Sequence, residues 1–143
     1  MTIRLVAFDV DATIAGVGEA VSPEVAGRIA GLESRGIRLL FNSGKTAYYL
    51  AGLARGLGVR RPLLVGENGC VLFDPALLEE IRLVVRPARL DELERFVLDR
   101  FGPSVWLQPN QVALTIFPKD PGLIPAIAGE IRAYLKPYPD RLN

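Results

Sequence analysis

Residues 3–13 read IRLVAFDVDAT, an apolar and partly β-branched run that stops at two aspartates, Asp9 and Asp11. A short apolar run of this kind is typical of a strand that a sheet buries on both faces. In an open α/β sheet, ligands bind beyond the carboxyl ends of the strands. The stretch therefore predicts an α/β fold in which both carboxylates lie at the ligand-binding edge.

Strands and helices are expected to alternate through the first half of the chain. Ser22 is a helix-capping residue followed by a proline, and Gly36 is placed to end the same helix. Further strands are predicted at 37–41 and 63–65, with a helix between them over 45–58. Strands joined by helices at this spacing form right-handed βαβ units, so we expect a Rossmann-like parallel sheet.

The second half of the chain is predicted to form a second, smaller α/β unit. A tight turn is expected at 67–69, and prolines then separate four elements predicted as strand 81–85, helix 91–101, strand 112–117 and helix 123–135. The first unit is placed at 1–80 and the second at 81–143. Because an α/β unit normally returns to its sheet after a helix, we expect the fold to be incomplete.

The composition narrows the class of protein. Half of the 143 residues are hydrophobic and the formal net charge is +1, so we expect a folded chain that binds neither nucleic acid nor an acidic membrane. The apolar run before Asp9 is too short for a membrane span. A single cysteine, Cys70, and the lack of histidine exclude an internal disulfide, a histidine base and a Cys/His zinc site. A reducing cytoplasm is the expected location.

Asp9 and Asp11 have the side chains that phosphate-ester hydrolysis needs. One carboxylate can attack phosphorus and form an acyl-phosphate, and a second can protonate the leaving oxygen and later activate water. Mg²⁺ prefers carboxylate and phosphate oxygens, so the same pair is a candidate metal site. The structural alternative is that Asp9 begins a turn and Asp11 caps it. The position directly after the first strand favours the functional interpretation.

Residues 42–46, NSGKT, follow the second predicted strand and open a helix. The Ser43 hydroxyl, the Gly44 amide and the Lys45 charge together make a candidate anion-binding site at a helix N-terminus. The structural alternative is an ordinary helix cap by Ser43. A nucleotide-binding P-loop is excluded, because Leu39 lies where the first glycine of that motif is required.

Three stretches, in this order, resemble motifs of the haloacid dehalogenase-like superfamily of aspartate-nucleophile phosphatases: 9–13 (DVDAT), 41–44 (FNSG) and 66–69 (GENG). The third resembles a loop of the branch in which an α/β cap is inserted into the core; taken alone, it is interpreted as a hairpin turn. Within that branch the chain is most similar to archaeal phosphoglycolate phosphatases. The resemblance implies a core over 1–80 and a cap over 81–143.

The resemblance also implies roles for individual residues. Asp9 would be the nucleophile and would bind Mg²⁺ through its side chain, and Asp11 would be the general acid/base and bind Mg²⁺ through its carbonyl. Ser43 would hydrogen-bond the phosphoryl group of a small phosphorylated metabolite, with phosphoglycolate as the best guess. Ala12 departs from the usual glycine. The chain ends before the lysine and acidic motifs that follow the cap in this family, so it resembles a truncated member.

Other functions remain open at this point. The chain can be a catalytically inactive relative that binds phosphate or a partner chain without turnover. A receiver-type signalling domain is a weaker alternative, because Gly66 and Glu67 follow the third strand where a phosphoacceptor aspartate is needed. In the family the first strand lies mid-sheet, so truncation is expected to leave an edge free for a homo-oligomer or for strand pairing with another chain.

Overall fold

The computed structural model describes residues 3–138. The chain divides into two compact units, Met1–Val84 and Val85–Asn143. The first unit contains, in chain order, β1 (Leu5–Asp9), α1 (Pro23–Ser34), β2 (Arg38–Asn42), α2 (Ala47–Gly56), β3 (Leu63–Gly66), β4 (Val71–Asp74) and β5 (Glu79–Arg82). Among the residues that the structure describes, no helix is both long and apolar enough to cross a membrane.

The first unit is built on a five-stranded sheet with the order β1-β2-β3-β4-β5. β1, β2 and β3 run parallel, and β4 and β5 are antiparallel to their neighbours. The predicted α/β fold with a parallel sheet is therefore confirmed. Because α1 and α2 connect the parallel strands, the carboxyl ends of those strands meet at one edge. Within the described part of the chain, β1 pairs with β2 alone.

Local signals in the sequence set the ends of both helices. Ser22 caps α1, since its Oγ accepts a hydrogen bond from the Val25 amide at 3.2 Å. Gly36 follows α1 with a φ of 80°, a left-handed conformation that glycine adopts without strain. Thr46 caps α2 by accepting from the Tyr49 amide at 3.2 Å. Both helices thus begin and end close to their predicted positions.

The two helices pack on the sheet and form its core. Leu39 and Phe41 of β2, Leu50 of α2 and Leu64 of β3 are completely buried, and Ile29 of α1 joins the same cluster. Burying an aliphatic or aromatic side chain stabilises a fold by about 1.5–3 kcal/mol. The cluster therefore fixes the parallel strands, and with them the loops at their carboxyl ends.

The position of β5 differs from the prediction. The sequence predicted a strand at 81–85 and assigned it to the second unit. The strand is instead Glu79–Arg82, it pairs with β4, and it belongs to the first unit. Leu78, with a φ of 55°, lies in the turn that reverses the chain, so pairing with β4 begins two residues earlier than the apolar residues suggested.

The second unit combines two helices with a two-stranded antiparallel sheet. Its core is formed by four buried residues, Leu93, Val97, Val105 and Ile127. The strand predicted at 112–117 begins later, at Thr115, and its partner was not predicted. The elements are α3 (Ala88–Phe101), β6 (Val105–Gln108), β7 (Thr115–Pro118) and α4 (Ile124–Leu135).

Arg86 holds the start of α3 in place. Its guanidinium donates to Asp91 at 2.6 Å, to Glu94, and to the carbonyl of Ala113 at 3.1 Å. Burial alone would lower the pKa of Arg86, but hydrogen bonds and charges from Asp91 and Glu94 outweigh burial and raise the pKa. The charged side chain thus fastens the first turn of a helix whose N-cap residue, Pro87, supplies no capping group.

Candidate active site

The carboxyl ends of the parallel strands bring the three motif-like stretches to one edge of the sheet. Asp9 ends β1 and lies beside Asn42, which ends β2, and Asn42 lies beside Val65 of β3. Ser43 and Gly66 are therefore the next residues along their strands at the same edge. This is the position at which open α/β sheets bind ligands.

The loop after β1 is a tight turn fastened to the core. The carbonyl of Val10 accepts a hydrogen bond from the Ile14 amide at 3.0 Å, and both residues are only 5% exposed. Asp9 and Asp11 lie on either side of Val10 in the sequence. Asp9 is exposed and Asp11 is half-buried. Within this turn, Val10 and Ile14 are thus buried while both aspartates stay accessible to solvent.

Ala12 has the conformation that would favour glycine. Its φ of 60° is left-handed, and this conformation costs an alanine about 1 kcal/mol relative to glycine. The Ala12 amide donates to the Ala15 carbonyl at 2.7 Å, and Asp11 and Ala15 form a β-bridge. Alanine at this position therefore still allows the turn to close, but with local backbone strain.

An ion pair joins the first and second of these stretches. Lys45 Nζ lies 3.1 Å from Asp11 Oδ2, and both side chains are partly exposed. A contact of this kind is screened by water and contributes at most about 1 kcal/mol to stability. Its importance is positional, because it places a cation next to one of the two candidate catalytic carboxylates.

Ser43 occupies the centre of the second stretch and is 5% exposed. Its amide donates to the Val65 carbonyl at 3.0 Å, and its Oγ accepts from the Lys45 amide at 3.2 Å. The alternative that Ser43 is the helix cap is wrong, because Thr46 caps α2. Because the Ser43 Oγ accepts the bond from Lys45, its O–H is still a donor that could bind an anion oxygen.

No family model and no curated protein matches the chain, but solved structures do. The Thermoplasma acidophilum protein 0175 matches 94% of this chain with a TM-score of 0.72 at 20% identity. The C-terminal domain of trehalose-6-phosphate phosphatase from C. albicans matches 95% of it with a TM-score of 0.69 at 21% identity. A haloacid dehalogenase-like hydrolase from Bacteroides thetaiotaomicron matches 74% of it with a TM-score of 0.63 at 18% identity.

The fold is that of the haloacid dehalogenase-like hydrolases. The fold that the three motif-like stretches suggested is therefore confirmed. The chain spans 59%, 50% and 40% of the length of these three structures, in the order given above. TM-scores of 0.63–0.72 establish the shared fold, but identities of 18–21% do not carry chemistry over, so the chemistry has to be argued from this chain's own residues.

Within this haloacid dehalogenase-like fold, the candidate metal ligands are Asp9 and Asp11. Over residues 3–138, no group of three or more His, Cys, Asp or Glu side chains is placed to hold a metal ion. Mg²⁺ does not need such a group, since it usually keeps several waters and binds one or two carboxylates together with substrate phosphate. The exposed carboxylate of Asp9, with Asp11 beside it in the turn, fits Mg²⁺ bound in that way.

The loop after β3 has a feature that the sequence analysis missed. Its interpretation as a hairpin turn is confirmed, because β3 and β4 pair antiparallel across it. Glu67, however, is only 1% exposed, and the Asn68 amide donates to the Ser43 carbonyl at 3.1 Å. The loop therefore packs against the candidate anion-binding stretch. No residue pattern signals a buried glutamate in a polar turn, and the only signal at this loop was the motif resemblance of residues 66–69.

Proposed function

We propose that the chain carries the nucleophile and phosphate-binding part of a Mg²⁺-dependent phosphomonoester hydrolase. The observation that supports this most is that four residues with suitable side chains lie at or just after the carboxyl ends of neighbouring parallel strands: Asp9, Asp11, Ser43 and Lys45. Asp9 ends β1 beside the strand that leads into Ser43, and Asp11 is paired with Lys45. Carboxylates, a hydroxyl and a cation in one place suit transfer of a phosphoryl group to an aspartate.

Each residue has a distinct part in the proposed reaction. The Asp9 carboxylate attacks phosphorus and forms an aspartyl-phosphate, while Asp11 donates a proton to the leaving oxygen. Asp11 then takes a proton from the water that hydrolyses the aspartyl-phosphate. The Ser43 hydroxyl donates to a phosphoryl oxygen, and Lys45 adds positive charge beside it. Mg²⁺, when bound by Asp9 and Asp11, would supply further charge neutralisation.

The proposed substrate is a small phosphorylated metabolite, with phosphoglycolate as the best guess. Support for that guess comes from the motif resemblance. A solved structure of similar fold is a trehalose-6-phosphate phosphatase, so a phosphorylated sugar is the first competitor to assay. A reducing, cytoplasmic setting is part of the proposal and is supported by the single cysteine of the chain, Cys70.

The test separates formation of the aspartate adduct from turnover. Beryllofluoride, a mimic of an aspartate-bound phosphoryl group, is added with Mg²⁺ and followed by ¹⁹F NMR, and phosphate release from para-nitrophenyl phosphate is assayed with and without chelator. We expect Asp9→Asn to lose both signals. Asp11→Asn should keep the adduct and lose about 10²-fold or more of the turnover. Asp99→Asn, at an exposed position in α3, is the control and should behave as wild type. Wild-type turnover in Asp9→Asn would show that the covalent mechanism is wrong.

A second candidate is binding of phosphate or a partner without turnover. It is favoured by one observation, that Lys45 already engages the carboxylate that would transfer protons. In this case the wild type forms the beryllofluoride adduct or binds phosphate but releases none from an ester. The same pair of measurements therefore distinguishes the two functions.

A further inference from the structure

The loop after β3 is anchored to the anion-binding stretch by its backbone. The Glu67 amide donates to the Lys45 carbonyl at 2.9 Å, and the Asn68 amide donates to the Ser43 carbonyl at 3.1 Å. Gly66 packs so closely that a Cβ there would lie 2.5 Å from the Ala47 nitrogen. The two loops are therefore joined by backbone hydrogen bonds and close packing.

The backbone of this loop is unusual. Glu67 and Asn68 have consecutive left-handed conformations, with φ of 53° and 57°. Asparagine tolerates this region better than most residues, whereas glutamate does not. Glu67 is held there by almost complete burial, at 1% exposure. The pair of left-handed residues turns the chain so that Asn68 is brought back over the anion-binding stretch.

The Asn68 side chain is exposed and lies against Gly44. A Cβ placed on Gly44 would be 3.1 Å from Asn68 Oδ1 and 3.6 Å from Asn68 Nδ2. The Asn68 carboxamide thus lies over Gly44, the residue after Ser43. Asn68 is also exposed to solvent. A carboxamide carries two N–H donors, which suit the oxygens of a phosphoryl group.

We propose that Asn68 is a substrate-contacting residue, whose Nδ2 donates a hydrogen bond to the phosphorylated group held at Ser43. This inference rests on the proposed function. It adds a donor from the loop after β3 to those from the loop after β2. It also explains why a left-handed turn is kept here with a polar side chain and not with glycine, since glycine would relieve the strain but remove the donor.

The experiment is a titration of the chain with inorganic phosphate, followed by amide chemical shifts of Ser43 and its neighbours in the presence of Mg²⁺. Asn68→Gly keeps the left-handed backbone and removes the carboxamide, and we expect it to weaken phosphate binding about five- to tenfold. Asn68→Asp keeps both the size and the left-handed tendency but places a negative charge there, so it should weaken binding by more than tenfold. Leu78→Gly is the matched control, because Leu78 is also left-handed but lies in the turn at the other end of β4. It should leave the phosphate affinity unchanged.

The outcomes of this titration distinguish failure of the Asn68 proposal from failure of the proposed function. A purely conformational role for Asn68 predicts wild-type affinity in Asn68→Gly, which keeps the left-handed backbone, and that result would overturn this inference while leaving the anion site intact. If the wild type shows no phosphate-dependent shift at Ser43, the proposed function fails, and the role of Asn68 fails with it. Retained shifts of the β3–β4 hairpin in the variants confirm that the loop is still folded.

Discussion

Ala12 lies in the turn that presents the two aspartates and has a left-handed backbone, with a φ of 60°. Glycine adopts this conformation freely, whereas alanine crowds its Cβ against the neighbouring peptide. Part of the gain from glycine is offset by the greater freedom that it gives the unfolded chain. We expect Ala12→Gly to raise the free energy of unfolding by roughly 0.5–1 kcal/mol, measured by urea denaturation.

Ala51 supplies the control for this prediction, because it lies inside α2 with a helical backbone. Ala51→Gly is expected to lower the free energy of unfolding by about 0.5–1 kcal/mol. The two variants make the same chemical change and should have opposite signs. If Ala12→Gly lowers stability as much as Ala51→Gly does, the turn is not strained.

The charge of a second single residue, Lys45, is expected to affect phosphate binding. Lys45→Gln keeps a polar side chain but removes the cation near Asp11 and the expected phosphate position. We predict that it weakens binding of inorganic phosphate about two- to fivefold, as expected for a partly exposed charge contact. The difference from wild type should shrink as salt is added, because ions screen exposed charges.

Isothermal titration at two salt concentrations measures this effect. Arg61→Gln removes the same charge from an exposed position just before β3. This position is at the amino end of the strand, whereas the aspartates lie at the carboxyl end of β1. That variant should bind phosphate as the wild type does. Equal weakening by the two variants would assign the effect to net charge and not to Lys45.

At the scale of elements, α1 depends on its cap. The Ser22 Oγ accepts a hydrogen bond from the Val25 amide, so Ser22→Ala leaves an amide of the first turn without its partner. The loss of such a cap costs about 1 kcal/mol of stability. Ser34→Ala makes the same change at the other end of α1, where the hydroxyl donates only to a carbonyl one turn back. Urea denaturation should show the larger loss for Ser22→Ala, and a reversed order would contradict the capping argument.

The elements that could be predicted are those with local signals. β1, β2 and β3 are apolar runs bounded by polar residues, and the caps of α1 and the glycine after it lie in the sequence itself. Asp9 and Ser43 could be placed at one site, because parallel strands must end on the same edge. That inference needed only the order of strands and helices.

The remaining elements depend on tertiary pairing. β5 begins at Glu79 because it pairs with β4, although its polar residues do not resemble a strand. β6 follows a proline turn and is short, so it gives little periodicity to detect. The Asp11–Lys45 ion pair and the burial of Glu67 likewise arise from how loops of different strands meet, and no pattern within one loop reports them.

At the scale of the whole molecule, the edge of β1 predicts self-association. Within residues 3–138, β1 pairs on one side only, and Leu5 is 46% exposed. An apolar strand edge pairs readily with another strand. We expect the purified chain to associate as its concentration rises in sedimentation experiments, and Leu5→Lys to reduce the association.

Leu77→Lys is the control, because Leu77 is also exposed but lies in the β4–β5 turn. This variant should associate as the wild type does. A wild type that sediments as a single monomeric species over the whole concentration range would contradict the prediction. The homo-oligomer expected from the sequence would then have no support from this edge.

The parallel register of the first unit also has a consequence for the order of folding. Leu5 lies opposite Arg38, a distant residue in sequence, whereas β4 follows β3 across the short turn Glu67–Gly69. Closing long loops costs more entropy than closing short ones, so pairings between distant residues form late. We therefore expect β1 to dock after the hairpins have formed. The candidate site would then assemble in two steps, the loop between β3 and β4 first and the stretches after β2 and β1 later.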